Sequence, residues 1–269
     1  MDECRFCWES ARCARLPNMS WSSTLRHLET RQTAYQSVAV WGDGREVEFR
    51  VTGANHAWWG RDQFLTGLAW DGIAAGILCH PSGNPLSLLM LGLGGGTTLR
   101  TLRYLCPDLK ITALEIDAGM VQLARDYMQL DTLDVDVICT DAYEWLRQNQ
   151  QTFDVICDDV YGVTSTDVQR PLTSLQTLLP AIRRGLAPEG IFSANLVTGA
   201  GHRVIQTGFR RFFRENFTEA RSIITQASQN ECLVGGPALR PWKDLLPLAS
   251  AFPNDTDYTH WRGLRARKL

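Results

Sequence analysis

The sequence lacks any apolar run approaching the roughly 18 residues that cross a bilayer. That excludes a helical membrane span. It also lacks an excess of either charge: 27 Lys and Arg stand against 29 Asp and Glu, for a net charge of −2. No basic footprint for a nucleic acid follows from that balance. The opening residues, MDECRFCWESARC, contain no apolar core of the kind a secretory signal needs, so the cytoplasm is the expected compartment. No internal repeat is visible. A full zinc ligand set is missing as well. Cys4, Cys7 and Cys13 crowd the start, but a structural zinc site wants four ligands and the nearest fourth candidate is His27. Reduced thiols on an N-terminal extension over residues 1–30, with no bound metal, are the expectation.

Hydrophobic residues make up 44% and charged residues 21%, enough for a globular core that needs no staples. Two β-rich runs, SVAVW and EVEFRV, flank Gly42-Asp43-Gly44, whose residues tolerate the positive φ of a hairpin. They predict a small antiparallel sheet over residues 31–60. Phe64, Leu68, Ile73 and Ile77 recur at helical spacing, predicting a helix or helix pair over 62–79. HPSGNP ends it.

A strict alternation follows. Strands are predicted over 86–91, 111–114, 135–139, 153–157 and 191–197, and helices over 97–105, 120–128, 143–149, 172–184 and 202–216. Residues 222–225 and 231–234 read as possible edge strands. Strand–helix alternation means a parallel sheet with right-handed crossovers. The expected fold is α/β, doubly wound and mostly parallel, spanning 61–236. Residues 237–269, broken by Pro241, Pro247 and Pro253 and ending in basic residues, read as an irregular, solvated tail.

Glycines or acids fall at the carboxyl ends of four successive strands, where an open α/β sheet binds its ligand. Gly92-Leu93-Gly94-Gly95-Gly96 follows the first, allowing a tight turn and a ligand laid on bare backbone at a helix N-terminus. Gly92, Gly94 and Gly96 are the candidate cofactor glycines. Thr97 stands where a dinucleotide fingerprint needs its third glycine, and no Gly-Lys-Ser/Thr follows as in a Walker loop. Glu115 ends the second strand, suited to ribose hydroxyls or else a surface acid. Asp141 ends the third, suited to the adenine amine beside the Ala142 backbone, to capping the next helix, or to both. Asp158 and Asp159 end the fourth. Paired carboxylates there are costly unless used or solvated, and Asp159 is placed to take a proton from a nucleophile.

The text LMLGLGGGTTLRTLRYL, ALEID, CTDAYEWL, FDVICDDVYG and GIFSANL resembles the spermidine synthase family of class I S-adenosylmethionine-type transferases. Upstream, TAYQSV resembles that family's entry strand, VTGAN stands at its Asp-Gly-x-x-Gln turn, and LCHP resembles its Leu-x-x-His-Pro. The resemblance covers about residues 31–236. It implies Gln36 at the cofactor or acceptor amine, Glu115 at ribose, Asp141 at adenine and Asp159 as the catalytic aspartate. It also implies a homodimer.

Three departures bear on activity. The family's Gly-Gly-Gly-Asp-Gly acid, which grips the aminopropyl amine, is Thr97 here. The second aspartate of its Asp-Ser-x-Asp-Pro loop is Gly162. Its Tyr-His-Glu-Met segment is absent, the nearest text being Leu68-Ala69-Trp70-Asp71. A dicationic acceptor needs a carboxylate for each buried ammonium. The leading expectation is therefore methyl transfer from S-adenosylmethionine to a small amine or hydroxyl acceptor. Aminopropyl transfer from decarboxylated S-adenosylmethionine is the alternative, and a non-catalytic binding module the third reading. The acceptor pocket is expected between the 31–60 sheet, the 62–79 segment and the 160–170 loop. Tyr161, Trp70 and Asp71 are the candidate substrate residues, with Trp58 and Trp59 adding aromatic surface.

Overall fold

The computed structural model describes residues 25–163, 168–170, 174–225 and 227–269. The N-terminal cysteines, and any metal they hold, lie outside the described residues. Four antiparallel strands come first: β1 (Arg26–Gln32), β2 (Ser37–Gly42), β3 (Glu46–Val51) and β4 (Ala54–Gly60). The two predicted runs, β2 and β3, are therefore flanked by two further strands, β1 before them and β4 after. Alternation decides which face is buried. Val38, Val40, Val47, Phe49 and Val51 point one way and pack on Met120, Leu123 and Met128. That packing seats the small sheet against the main domain.

Helix α1 (Ala69–Ile77) is shorter than the periodicity predicts. Residues 62–68 do not continue it, because buried acids hold their backbone instead. Asp257 accepts hydrogen bonds from the Phe64 and Leu65 amides, and Asp71 accepts from the Thr66 and Gly67 amides and the Thr66 hydroxyl.

The central sheet follows the predicted alternation: β5 (Ser87–Leu91), α2 (Thr97–Leu105), β6 (Lys110–Glu115), α3 (Ala118–Met128), β7 (Val135–Cys139), α4 (Ala142–Gln148) and β8 (Phe153–Asp158). A two-residue ribbon, β9 (Gly162–Val163) with β10 (Val168–Gln169), precedes α5 (Ser174–Gly185), β11 (Leu186–Val197) and α6 (Arg203–Asn216). The antiparallel strands β12 (Glu219–Ile224) and β13 (Asn230–Gly236) extend the sheet, as the sequence suggested.

The last 33 residues correct the expectation of an irregular, solvated tail. Helices α7 (Trp242–Leu245) and α8 (Asp255–Gly263) pack into the core through Leu245 and Trp261, and the residues beside them through Phe252 and Leu264. Strand β14 (Arg265–Lys268) pairs with β12. The prolines break the periodicity, but contacts with residues 64–65 and with β12, remote in sequence, supply the order. The basic residues of β14 lie on the sheet edge, where charge discourages further strand pairing.

The eight strands run β14-β12-β13-β11-β8-β5-β6-β7. Their order fixes the site. The chain winds outward from β5 to β6 and β7, then returns to the other side of β5 as β8. The reversal lies between β5 and β8, and a crevice opens there above the strand ends.

Candidate functional site

A cavity of about 990 Å³ occupies that crevice, roofed by the N-terminal sheet. Its size lies at the upper end for small-molecule sites. The glycine loop and Asp159 meet across the strand reversal, with the Asp159 amide donating to the Leu91 carbonyl at 2.9 Å. Gly92 sits at φ +86°, and a Cβ there would come within 2.7 Å of the Asp159 carbonyl oxygen. Backbone faces backbone, so neither side yields cheaply. Gly92→Ala is expected to destabilise the fold by about 2–3 kcal/mol, from positive-φ strain plus the clash. A lower urea midpoint with unchanged m would register it.

Gly94 lines the cavity, whereas Gly96 does not. Gly96 is the N-cap of α2 at φ +80°, packed against Leu130 and Leu133. Its glycine character serves the turn, which corrects its assignment to the ligand.

Glu115 closes the loop from β6. One carboxylate oxygen accepts from the Leu93 and Gly94 amides at 3.1 and 3.0 Å, and the other accepts from the Asp117 amide at 3.1 Å. The second oxygen keeps a lone pair for a hydroxyl. Burial pushes this carboxyl above its usual range, and the three amides oppose that. Asp141 caps α4 through one oxygen, bonded to the Tyr143 and Glu144 amides, and keeps the other for a ligand. Capping and ligand roles are thus compatible at this position. Ala142 lines the same wall. Gln36 reaches in from the β1–β2 turn, 3.5 Å from Asp117, the carboxylate that caps α3.

Asp159 lines the cavity floor, and one of its oxygens accepts from the Asn195 side chain at 2.7 Å. Burial pushes its carboxyl up to about 6, against opposing contributions from Asn195 and Arg170. At neutral pH it is mostly ionised.

The candidate substrate residues divide. Trp70 and Tyr161 line the cavity, and Tyr161 donates to the Asn195 carbonyl at 2.8 Å. Asp71 does not line it. Its carboxyl is fully buried, spent on residues 66–67 and pushed up to about 7 by desolvation. Trp70 and Asp71 are consecutive, and a helix turns neighbours about 100° apart, so the two face different surroundings. Trp58 and Trp59 are buried and belong to packing.

Thr97 is also committed. Its hydroxyl donates to the Trp58 carbonyl and accepts from the Trp58 amide, tying α2 to β4. Thr98, beside it at the cavity wall, has a buried hydroxyl with no partner among the described residues.

Several cavity residues carry no role in the sequence pattern, among them Arg50, His56, Asn195, Ser228 and Asn230. Asn195 carried a usable signal, since an amide inside the apolar text IFSANLV requires a partner once buried. Arg170 was missed altogether. It is buried behind Asp159, paired with the Asp158 carboxylate and stacked on Tyr161 and Phe209. No pattern in the sequence connects it to Asp158.

Residues 88–190 match the profile of a methyltransferase domain family. A probable polyamine aminopropyl transferase of Bifidobacterium longum is 33% identical over 137 residues, which is 51% of this chain and 29% of that protein. A polyamine aminopropyltransferase of Moorella thermoacetica is 31% identical over 153 residues, covering 54% of this chain and 52% of the relative. The chain thus spans about half, or less, of the length of these curated relatives. A probable spermidine synthase from Corynebacterium glutamicum superposes with a TM-score of 0.66 at 20% identity, over 78% of this chain and 80% of that one.

The fold is that of the class I S-adenosylmethionine-dependent transferases. Within that class it is spermidine synthase-like, with a small antiparallel sheet set before the parallel one. Among the described residues no helix is long and apolar enough to cross a membrane.

Proposed function

We propose that this chain is an adenosyl-sulfonium-dependent transferase that passes an alkyl group to an amine, with Asp159 as the base. The observation that carries this reading is the convergence of the glycine loop, Glu115, Asp141 and Asp159 on one cavity at the strand reversal. Those residues fit an adenosyl donor. Glu115 and Asp141 each retain an acceptor oxygen for ribose and for the adenine amine, and the α2 N-terminus offers backbone donors. A bound sulfonium supplies an electrophilic carbon beside a neutral thioether leaving group.

The protein's own part is positioning and proton removal. The acceptor amine forms its new bond to carbon as the carbon–sulfur bond breaks and its electron pair goes to sulfur. The proton shed by the amine goes to Asp159. Holding the reacting atoms in line supplies most of the acceleration.

The relatives' names favour aminopropyl over methyl as the transferred group, reversing the order the sequence suggested. Methyl transfer is retained as a second reading for one specific reason. The residue after the glycine loop is Thr97, not an acid, and its hydroxyl is bonded to the Trp58 backbone, so this position supplies no carboxylate to an aminopropyl ammonium. The α2 N-terminus suits the carboxylate of intact S-adenosylmethionine better. By resemblance the protein is a homodimer, and we read its acceptor as a small molecule.

Thermal-shift measurement with S-adenosylmethionine, its decarboxylated form, methylthioadenosine and S-adenosylhomocysteine tests both readings. At a hundredfold excess over Kd, the preferred ligand should add about 2.7 kcal/mol of stability. Preference for the decarboxylated donor supports aminopropyl transfer, and preference for the intact donor supports methyl transfer. No stabilisation by any of the four would overturn the proposal.

A further inference from the structure

Behind Asp159 three neutral polar side chains line up, two on strands β11 and β13 and one on the connection before β13. The Asn195 side-chain nitrogen lies 2.7 Å from one Asp159 oxygen, and the Asn230 side-chain nitrogen lies 3.1 Å from the Asn195 side-chain oxygen. The Ser228 hydroxyl lies 2.9 Å from the Asn230 side-chain oxygen. Asn195 belongs to β11 and Asn230 to β13, which pair antiparallel. Val197 faces Asn230 and Asn195 faces Cys232, so the two asparagines are diagonal neighbours within side-chain reach.

The direction of these bonds follows from chemistry. A carboxylate only accepts, so Asn195 must turn its amide N–H toward Asp159. Its oxygen then faces Asn230, which must donate, and the Asn230 oxygen in turn receives the Ser228 hydroxyl. The backbone of Asn195 is pinned as well. Its carbonyl accepts from the Tyr161 hydroxyl and from Arg170, both at 2.8 Å, and the Tyr161 oxygen receives the Val197 amide at 2.9 Å. Among the described residues nothing donates to the second Asp159 oxygen.

We propose that Ser228, Asn230 and Asn195 form a one-way relay that positions Asp159, fixing one carboxylate oxygen and leaving the other for the acceptor's proton. Asn195 and Asn230 are positioning residues, acting through Asp159. The proposal rests on Asp159 being the base in the reading above. The relay is neutral, so it favours the aspartate anion without bringing a cation into the site that receives an ammonium. The charged groups around Asp159 are Arg170, which favours the anion, and Asp158 and Glu115, which oppose it. Cys157, Cys232 and the Tyr161 phenol are neutral neighbours, each held protonated by burial.

The first test needs no donor or acceptor. The stability difference between the wild type and Asp159→Asn, followed against pH, reports the Asp159 titration midpoint. The same comparison is then made in an Asn195→Ser and an Asn195→Leu background. Loss of the Asn195 donor should raise the midpoint by about one pH unit, a tenfold change in proton affinity, with Asn195→Ser intermediate. Asn230→Leu, which bears no direct bond to Asp159, should raise it by a smaller amount and serves if Asn195→Leu fails to fold. An unmoved midpoint in both Asn195→Ser and Asn230→Leu overturns the relay.

The second test applies to transfer itself. The acidic limb of kcat/KM against pH should move upward with the midpoint in each variant, and a limb that stays in place overturns the positioning role. A shifted midpoint with no transfer from either donor would instead overturn Asp159 as a base while leaving the hydrogen-bond geometry intact. The two failures are therefore distinct.

Discussion

Asp159→Asn should lower transfer by about 10²–10⁴-fold, the usual contribution of a positioned general base, while making the ligand-free protein more stable at alkaline pH. The opposite signs have one cause. In the folded protein burial holds this carboxyl at about 6, above the value of about 3.9 expected in an unfolded chain. The folded state therefore binds the proton more tightly between those values. The contribution of Asp159 to stability is fully present below about pH 4 and is lost as pH rises through 6. Asparagine removes that loss. Allowing for solvent in the open cavity, the variant should gain about 1–2 kcal/mol at pH 8 and nothing near pH 4. Chemical denaturation at the two pH values checks the stability, and single-turnover transfer checks the rate. A variant that retains full transfer would remove Asp159 from the mechanism.

Arg170→Ala should be the most damaging single change to stability, at about 3–5 kcal/mol. Arg170 and Asp158 are both fully buried, and one guanidinium nitrogen also serves the Asp158 and Asn195 carbonyls. Removing the cation leaves a buried anion whose remaining donors, the Val160 amide at 3.2 Å and the Tyr143 hydroxyl at 3.4 Å, cannot replace it. A companion Arg170→Met, Asp158→Leu double variant removes both charges and should recover most of the loss, because an absent pair costs far less than a broken one. Denaturant midpoints for the single and double variants decide this. A double variant no more stable than Arg170→Ala would mean that the stacking on Tyr161 and Phe209, not the charge pairing, carries the cost.

The alternating core was legible because the central parallel strands β5 and β8 are buried on both faces. LLML and VIC, residues 88–91 and 155–157, therefore read as apolar runs, with a glycine turn after the first and an acid after the second. The helix over Thr97–Leu105 was legible for the complementary reason, an apolar stripe at helical spacing that starts at a glycine turn. The C-terminal residues were illegible because prolines interrupt any period. Their order comes from Asp257 bonding the Phe64 and Leu65 amides, about 190 residues earlier in the chain. Asp71 misled for a related reason. A carboxylate beside Trp70 suggests a ligand until folding brings the Thr66 and Gly67 amides onto it.

By itself the sequence determined the doubly wound sheet, the glycine loop and the acids at the strand tips, because burial period and turn chemistry are local properties. Only the tertiary structure decided which acids face the cavity. It spent Asp71 on backbone amides, paired Asp158 with Arg170, left Asp159 with a free oxygen, and bound Thr97 to Trp58. A carboxylate's role is set by the donors that reach it. Here Arg170 and Asn195, the donors that settle Asp158 and Asp159, come from segments that are neighbours only after folding.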